Sequence, residues 1–348
     1  MTELLKDILR EPEELAKSLA YTVGPGRAAL QEAAQIVNAA DLIYITGIGS
    51  SWHAGMAVLW LFQARGRPAV FVDASELLHF GALAPNAALI LLSRSGKSVE
   101  VVGLIEKVKR AGTKLIAVTN TPESPLAQSA DVTLRLEAAF DHNVSITMYS
   151  ALTLVGGLLA CAALGELDAG LTGALGMTLM DMPEVIAEWQ SQIAESDWFA
   201  SDAPTYFLAR GGSLASAHEA RLLWEEAAKA PASALTTGGF RHGPQEMLEP
   251  GTRIGLWLDA QRLRAQDLAL AADLRAAGAK VMLIGQELPT GAGDLTFQLP
   301  FLPAAWQFLL DIVPAQLAAE RLARLRGVDC DSFRLCPYIV DSEGGLGH

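Results

Sequence analysis

The chain has only three cysteines in 348 residues, Cys161, Cys330 and Cys336. They are too few and too scattered for a disulfide framework or a zinc site. Positive charge is also scarce: 26 lysines and arginines stand against 39 aspartates and glutamates, a net charge of −13. This deficit argues against nucleic-acid partners, because non-specific binding needs a basic surface for phosphate contacts. It leaves room for a small anion in a locally positive pocket. The N-terminal stretch MTELLKDILREPEELAKSL is charged and amphipathic and has no apolar signal core. The most apolar stretch, SALTLVGGLLACAALG at residues 150–165, stops short of the 18 or so residues a spanning helix needs. A cytoplasmic protein without membrane partners is therefore expected. No His-x-x-x-His or comparable spacing occurs, so no metal or other cofactor is expected.

One apparent nucleotide motif also lacks a part. LLSRSGKSVE, residues 91–100, contains Gly-Lys-Ser, the end of a P-loop. A P-loop needs a further Gly five positions earlier, where its backbone wraps the phosphates. Leu91 stands there. The ATP reading fails, and the serines of this stretch need another explanation.

The residues present suggest an α/β protein. The length fits about two domains, and 51% apolar with 19% charged residues fits a globular chain. Short apolar runs at residues 41–49, 68–74, 87–93, 114–120 and 130–136 read as strands, and residues 51–66 and 98–112 between them read as helices. Strand, glycine turn, helix, strand is the rhythm of a parallel sheet covered by helices. The second half repeats it, with strands at 204–213, 253–261 and 281–286, helices at about 214–229 and 264–280, and a long terminal helix at 303–327. LIYITGIGS aligns with TYFLARGGS at an offset of about 163, and KRAGTKLIAV with LRAAGAKVMLI at about 166, as in a duplicated domain. The linker is expected between Gly176 and Asp197.

The repeat is informative where it breaks. Opposite Ser93-Arg94-Ser95-Gly96-Lys97-Ser98 the second half has Asp259-Ala260-Gln261-Arg262-Leu263-Arg264, with no serine. In open α/β sheets ligands bind beyond the carboxyl ends of the strands, and a helix N-terminus there attracts anions. Ser93, Ser95 and Ser98 add hydroxyl donors around Gly96, more than one N-cap requires. Ser50 and Ser51, after the first strand, are candidates for the same phosphate or its sugar. Arg94 and Lys97 read as surface charges.

Acid–base candidates lie in residues 213–251. Glu219 and Glu226 are two helical turns apart and share a face, and Trp224 beside them marks a packed side. Glu225 is placed to pair with Lys229 at i,i+4. His242, in GGFRHGP, sits outside any helical stripe and is a functional candidate. His53 and His218 read as structural, and His142 carries no assignment.

These residues resemble the double sugar-isomerase (SIS) domain family, notably the isomerase half of glutamine–fructose-6-phosphate aminotransferase and the related amino-sugar-phosphate deaminases. The resemblance rests on GIGSSWHAG, SRSGKSVE, FRHGPQEML, the opening ILREPEEL and the terminal GVDCDSFR, five motifs in order over nearly the whole chain. It implies two tandem SIS domains, each a doubly wound, mainly parallel sheet flanked by helices. The divisions would be a helical segment at 1–30, a phosphate-binding domain at 31–176, a linker helix at 177–197, a second domain at 198–328, and a tail over the active site at 329–348. It implies a hexose 6-phosphate or amino-sugar phosphate held by Ser50, Ser51, Ser93, Ser95, Gly96 and Ser98. Glu226 would move the proton between C1 and C2, His242 would assist ring opening and reach a neighbouring subunit's site, and Glu219 would support. A homodimer follows.

Two departures matter. The aminotransferases carry a glutaminase whose first residue after Met is Cys; here Thr2 follows Met1, so ammonia release from glutamine by that route is not expected. The family's C-terminal lysine falls near Tyr338, and no lysine follows Lys280. Imine chemistry through it is not expected either, and Phe333 replaces the usual proline. The leading expectation is a deaminating aldose–ketose isomerase. A fructosamine 6-phosphate deglycase and a non-catalytic phosphosugar sensor are the alternatives.

Overall fold

A strand buried on both faces of a parallel sheet reads as a continuous apolar run, and AALILL is buried at every position. In the computed structural model, which describes residues 1–200 and 202–345, it is the central strand of the first of two five-stranded sheets. The chain divides into two compact units. The first comprises Arg10–Gly176 with the tail from Phe333; the second comprises Met1–Leu9 and Met177–Ser332.

The first unit contains strands β1 (Leu42–Thr46), β2 (Val70–Phe71), β3 (Ala87–Leu92), β4 (Lys114–Thr119) and β5 (Val132–Arg135), all parallel, in the order β2-β1-β3-β4-β5. Its helices are the greater part of α1 (Glu3–Val23), then α2 (Arg27–Ala39), α3 (Ser50–Gln63), α4 (Ala74–His79), α5 (Val99–Ala111), α6 (Pro125–Ser129), α7 (Thr147–Leu164) and the start of α8 (Ala169–Glu195). One sheet face buries Leu89, Leu91, Leu115 and Ala117 against Leu77 of α4, Val101, Leu104 and Val108 of α5, and Leu126 of α6. Helices α2, α3 and α7 pack together elsewhere in this unit.

The second unit repeats the topology. Its strands β6 (Thr205–Ala209), β7 (Ala232–Thr236), β8 (Arg253–Trp257), β9 (Lys280–Gly285) and β10 (Leu295–Gln298) are again all parallel, in the order β10-β9-β8-β6-β7. Counted from the first strand of each unit, both sheets have the order 2-1-3-4-5. The remaining helices are α9 (Leu214–Glu226), α10 (Thr237–Arg241), α11 (Arg264–Ala276) and α12 (Val313–Arg326). Trp198, Phe207, Trp224 and Trp257 form an aromatic cluster of edge-to-face pairs with centroids 4.8–6.2 Å apart.

Several elements differ from the sequence reading, each for a local reason. The apolar helix is not short of 18 residues: α7 spans 18, all from Thr147 to Cys161 buried. It starts three residues early because the Asp141 carboxylate accepts the amide N–H groups of Ile146, Thr147 and Met148 at 2.9–3.0 Å. A helix apolar on every face and buried on every face belongs to a core. The expected terminal helix at 303–327 is interrupted. A 3-10 stretch at Ala304–Leu309 precedes α12, whose second residue is Pro314. Proline cannot continue the preceding turn but suits a new helix start. Glu225 pairs with Arg221 at 2.5 Å, not with Lys229. Lys229 instead has φ +51° and donates to the backbone carbonyls of Glu226 and, at 2.8 Å, Ser332. Of the expected tail, residues 346–348 lie outside the described residues.

Candidate active site

A 2-1-3-4-5 sheet places its ligand where the strand order reverses, between the first and third strands. In the first unit β1 and β3 pair in register, Thr46 opposite Leu91, so the turns following both strands lie side by side. Ser50 and Ser51 open α3 after β1, and residues 93–98 follow β3. The six candidates of the first unit thus gather at its switch point.

The loop from Ser93 to Ser98 is built around its own amides. Ser93 Oγ accepts the Gly96 N–H at 3.0 Å, and Ser95 Oγ accepts the Lys97 N–H at 3.3 Å. Both serines are buried, and each hydroxyl, accepting here, keeps its own proton to donate. Ser98 occupies the N-cap position of α5 yet makes no capping hydrogen bond. Ordinary capping therefore does not account for its hydroxyl. Gly96 has φ +62°, and a Cβ there would collide with Ser124 Oγ and lie 2.7 Å from Ser124 Cβ. Ser51 is buried and Ser50 half-buried.

Arg94 is not a free surface charge. Its guanidinium lies 4.1 Å from the centroid of the Tyr338 ring, and it donates to the carbonyls of Tyr338 at 3.0 Å and Asn143 at 3.2 Å. Tyr338 belongs to the returning tail, whose Val340 carbonyl accepts the Val99 N–H, the first helical amide of α5, at 3.0 Å. The tail and helices α4 and α5 enclose a cavity of about 570 Å³ lined in part by Ser75, His79, Glu100, Cys336 and Glu343. His79 Nε2 lies 2.6 Å from Glu343 Oε1 across it. Lys97 is exposed.

Glu219, Glu226 and His242 belong to the second unit. Glu219 is buried on α9, and Glu226 is half-buried at its last position. Beside them Trp224 is fully buried, as its packed-side reading requires. His242 is exposed between two tight turns: α10, capped by Thr236 Oγ1 accepting the Gly239 N–H at 2.8 Å, and a 3-10 turn at Pro244–Met247 entered through Gly243 at φ +134°. His53 is buried in α3, edge-on to Trp52, as a structural histidine would be.

The second switch point is filled with carboxylates where the first has serines. Asp259, after β8, accepts the N–H groups of Arg262 and Leu263 at 2.8 and 2.6 Å, while Asp267 pairs with Arg210 at 2.8 Å. Asp311 accepts the hydroxyl protons of Ser213, at 2.5 Å, and Ser216. Donors that face an anion in the first unit are thus taken by the chain's own acids in the second. None of Asp267, Asp311 or Asp141 was singled out as a site residue in the sequence, since each acts through a fold contact.

Burial pushes the Asp311 carboxyl up to about 7, against the downward pull of hydrogen bonds from Ser213, Ser216 and Gln307. A folded-state pKa above the unfolded 3.8 means that its stabilising contribution is complete below that pH and is lost as pH rises toward 7. Between about pH 5 and pH 7 the unfolding free energy of the wild type is expected to fall, relative to Asp311→Asn, by ~1 kcal/mol per pH unit. Urea melts at each pH measure this; parallel curves would return Asp311 to the ordinary carboxylate range.

Residues 36–162 match the SIS domain family model. The first unit carries a SIS domain. Over its length the chain is 25% identical to the isomerizing glutamine–fructose-6-phosphate aminotransferase of Pseudomonas aeruginosa, covering 95% of this chain and 57% of that protein. Identity to the Aeropyrum pernix enzyme of the same name is 29%, covering 98% and 57%. The chain thus spans 57% of the length of these curated relatives. Among solved structures, the C-terminal domain of glucosamine-fructose-6-phosphate aminotransferase from Francisella tularensis superposes with a TM-score of 0.84 at 20% identity, covering 95% of this chain and 98% of that one. Glucosamine-6-phosphate deaminase from Thermotoga maritima gives 0.81 at 22%, covering 97% and 99%. The two parallel sheets are therefore a tandem SIS fold.

Proposed function

We propose that the protein is a phosphosugar aldose–ketose isomerase whose SIS loop, residues 93–98, holds the 6-phosphate. The observation that carries this reading is the serine cradle at the first switch point, with a Ser98 hydroxyl not used for capping. The printed names of the relatives and of the superposing structures, all concerned with hexose 6-phosphates, support the substrate class.

The finer proposal is deamination of glucosamine 6-phosphate. The opened sugar loses its C2 proton to Glu226 and becomes an enolamine. Return of the proton to C1 leaves an iminium at C2, which water hydrolyses to fructose 6-phosphate and ammonia. Glu226 is the proton carrier because general acid–base transfer needs a positioned carboxylate. Glu219 is its buried support. His242, on a turn fixed by Gly243, is the group for ring opening; its exposure supports a homodimer in which it serves the partner's site. Tyr338 stands near the family's lysine, so the reading requires no protein imine.

In deuterated water, glucosamine 6-phosphate or fructose 6-phosphate incubated with the protein is expected to acquire deuterium at the carbon that exchanges its proton, with ammonia appearing only from the amino sugar. Binding without exchange would reduce the protein to a sensor. Exchange without ammonia would leave an isomerase and remove the deamination.

A further inference from the structure

We propose that Arg94 is a positioning residue that couples occupancy of the serine loop to docking of the C-terminal tail. The inference rests on the phosphate reading of that loop. The main chain of Arg94 is fixed: its carbonyl accepts the Asn120 N–H at 3.2 Å and the hydroxyls of Thr119 and Thr121 at 3.2 and 3.3 Å. Its side chain is directed away from the loop's serines and spent on the tail. The guanidinium stacks on Tyr338 and donates to that residue's carbonyl, a combination that the planar, always-charged arginine makes and lysine does not. The Tyr338 hydroxyl lies 3.4 Å from the Asp141 carbonyl, which places the ring over the start of α7 as well.

The tail makes a second contact at the other end of the loop, where the Val340 carbonyl accepts the Val99 N–H. Residues 95–98 are therefore bracketed by two tail anchors, Arg94 before them and Val99 after them. Docking the tail orders both flanks of the loop. A ligand entering an already ordered loop loses less conformational entropy, which makes the coupling positive. By linkage, the ligand must then favour docking by the same factor that docking favours the ligand.

The test is hydrogen–deuterium exchange on the full chain as wild type, Arg94→Ala and Tyr338→Ala, with and without fructose 6-phosphate, beside affinities from calorimetry. In the wild type, saturating fructose 6-phosphate is expected to slow exchange in residues 333–345 about tenfold. In both alanine variants that response disappears and affinity falls by a similar factor. Arg94→Lys, with charge but no planar face, restores neither. Tyr338→Ala breaks the contact from the tail side, so the test survives if Arg94→Ala folds poorly. Should fructose 6-phosphate bind the wild type with no change in tail exchange, or the variants respond as the wild type does, the coupling is overturned and the phosphate reading stands. Failure of the wild type to bind fructose 6-phosphate or inorganic phosphate would overturn both.

Discussion

Replacing Glu226 by Gln is expected to lower kcat for ketose formation from glucosamine 6-phosphate by about 10²- to 10⁴-fold, the usual weight of a general acid–base group. The amide keeps the shape of the side chain and removes only the proton acceptor. The fold has little reason to respond, because Glu226 is half-buried at the end of α9 and its backbone carbonyl is held by Lys229 Nζ. The KM should stay close to wild type, since the phosphate handle lies in the serine loop. Glu225→Gln is the matched control: that carboxylate is exposed and engaged with Arg221, and its loss should leave turnover close to wild type. Steady-state kinetics with deuterium washout at C2 measure the effect. Unchanged turnover in Glu226→Gln would remove this residue from the chemistry.

Gly96→Ala is expected to act on the other half of the reaction. An L side chain at φ +62° costs about 1–2 kcal/mol, and the added Cβ would also press on Ser124 and lie 3.1 Å from Leu126 Cβ. Ser124 has little freedom to yield, because it is fully buried and its Oγ accepts the Ala127 N–H that starts α6. The loop must shift instead, and a displacement of about 1 Å in a positioning element costs on the order of 10²-fold. The KM for a sugar 6-phosphate and the inhibition constant of inorganic phosphate should rise together, with the melting temperature falling modestly. A lowered melting temperature with both constants unchanged would mean that the loop holds no phosphate.

What the sequence disclosed follows from where each signal is stored. Strands β1, β3, β4, β8 and β9 are continuous apolar runs because both faces are covered, and they are readable as such. Strands β7 and β10 were missed: they are edge strands, short and only partly apolar, ASALT and LTFQ. The α12 boundary turned on Pro314, inside a run whose apolar periodicity continues through it. The serine loop stood out by composition, and the fold gathers those serines at one switch point. The stacking of Arg94 on Tyr338 was not legible, because 244 residues separate the pair and neither residue type announces the other. The carboxylates of Asp141 and Asp311 were hidden for the same reason: each finds its donors only after the chain has folded.

The division of the first unit into two sequence segments has a consequence for biosynthesis. Arg10–Gly176 leaves the ribosome long before Phe333 does, with the whole of the second unit synthesised in between. The first sheet and its serine loop have all their strands in hand at that stage, yet Tyr338 and Val340, the partners of Arg94 and Val99, do not exist. A nascent or prematurely terminated chain ending near residue 332 would therefore present a finished cradle without its fastening. The latch arrives last.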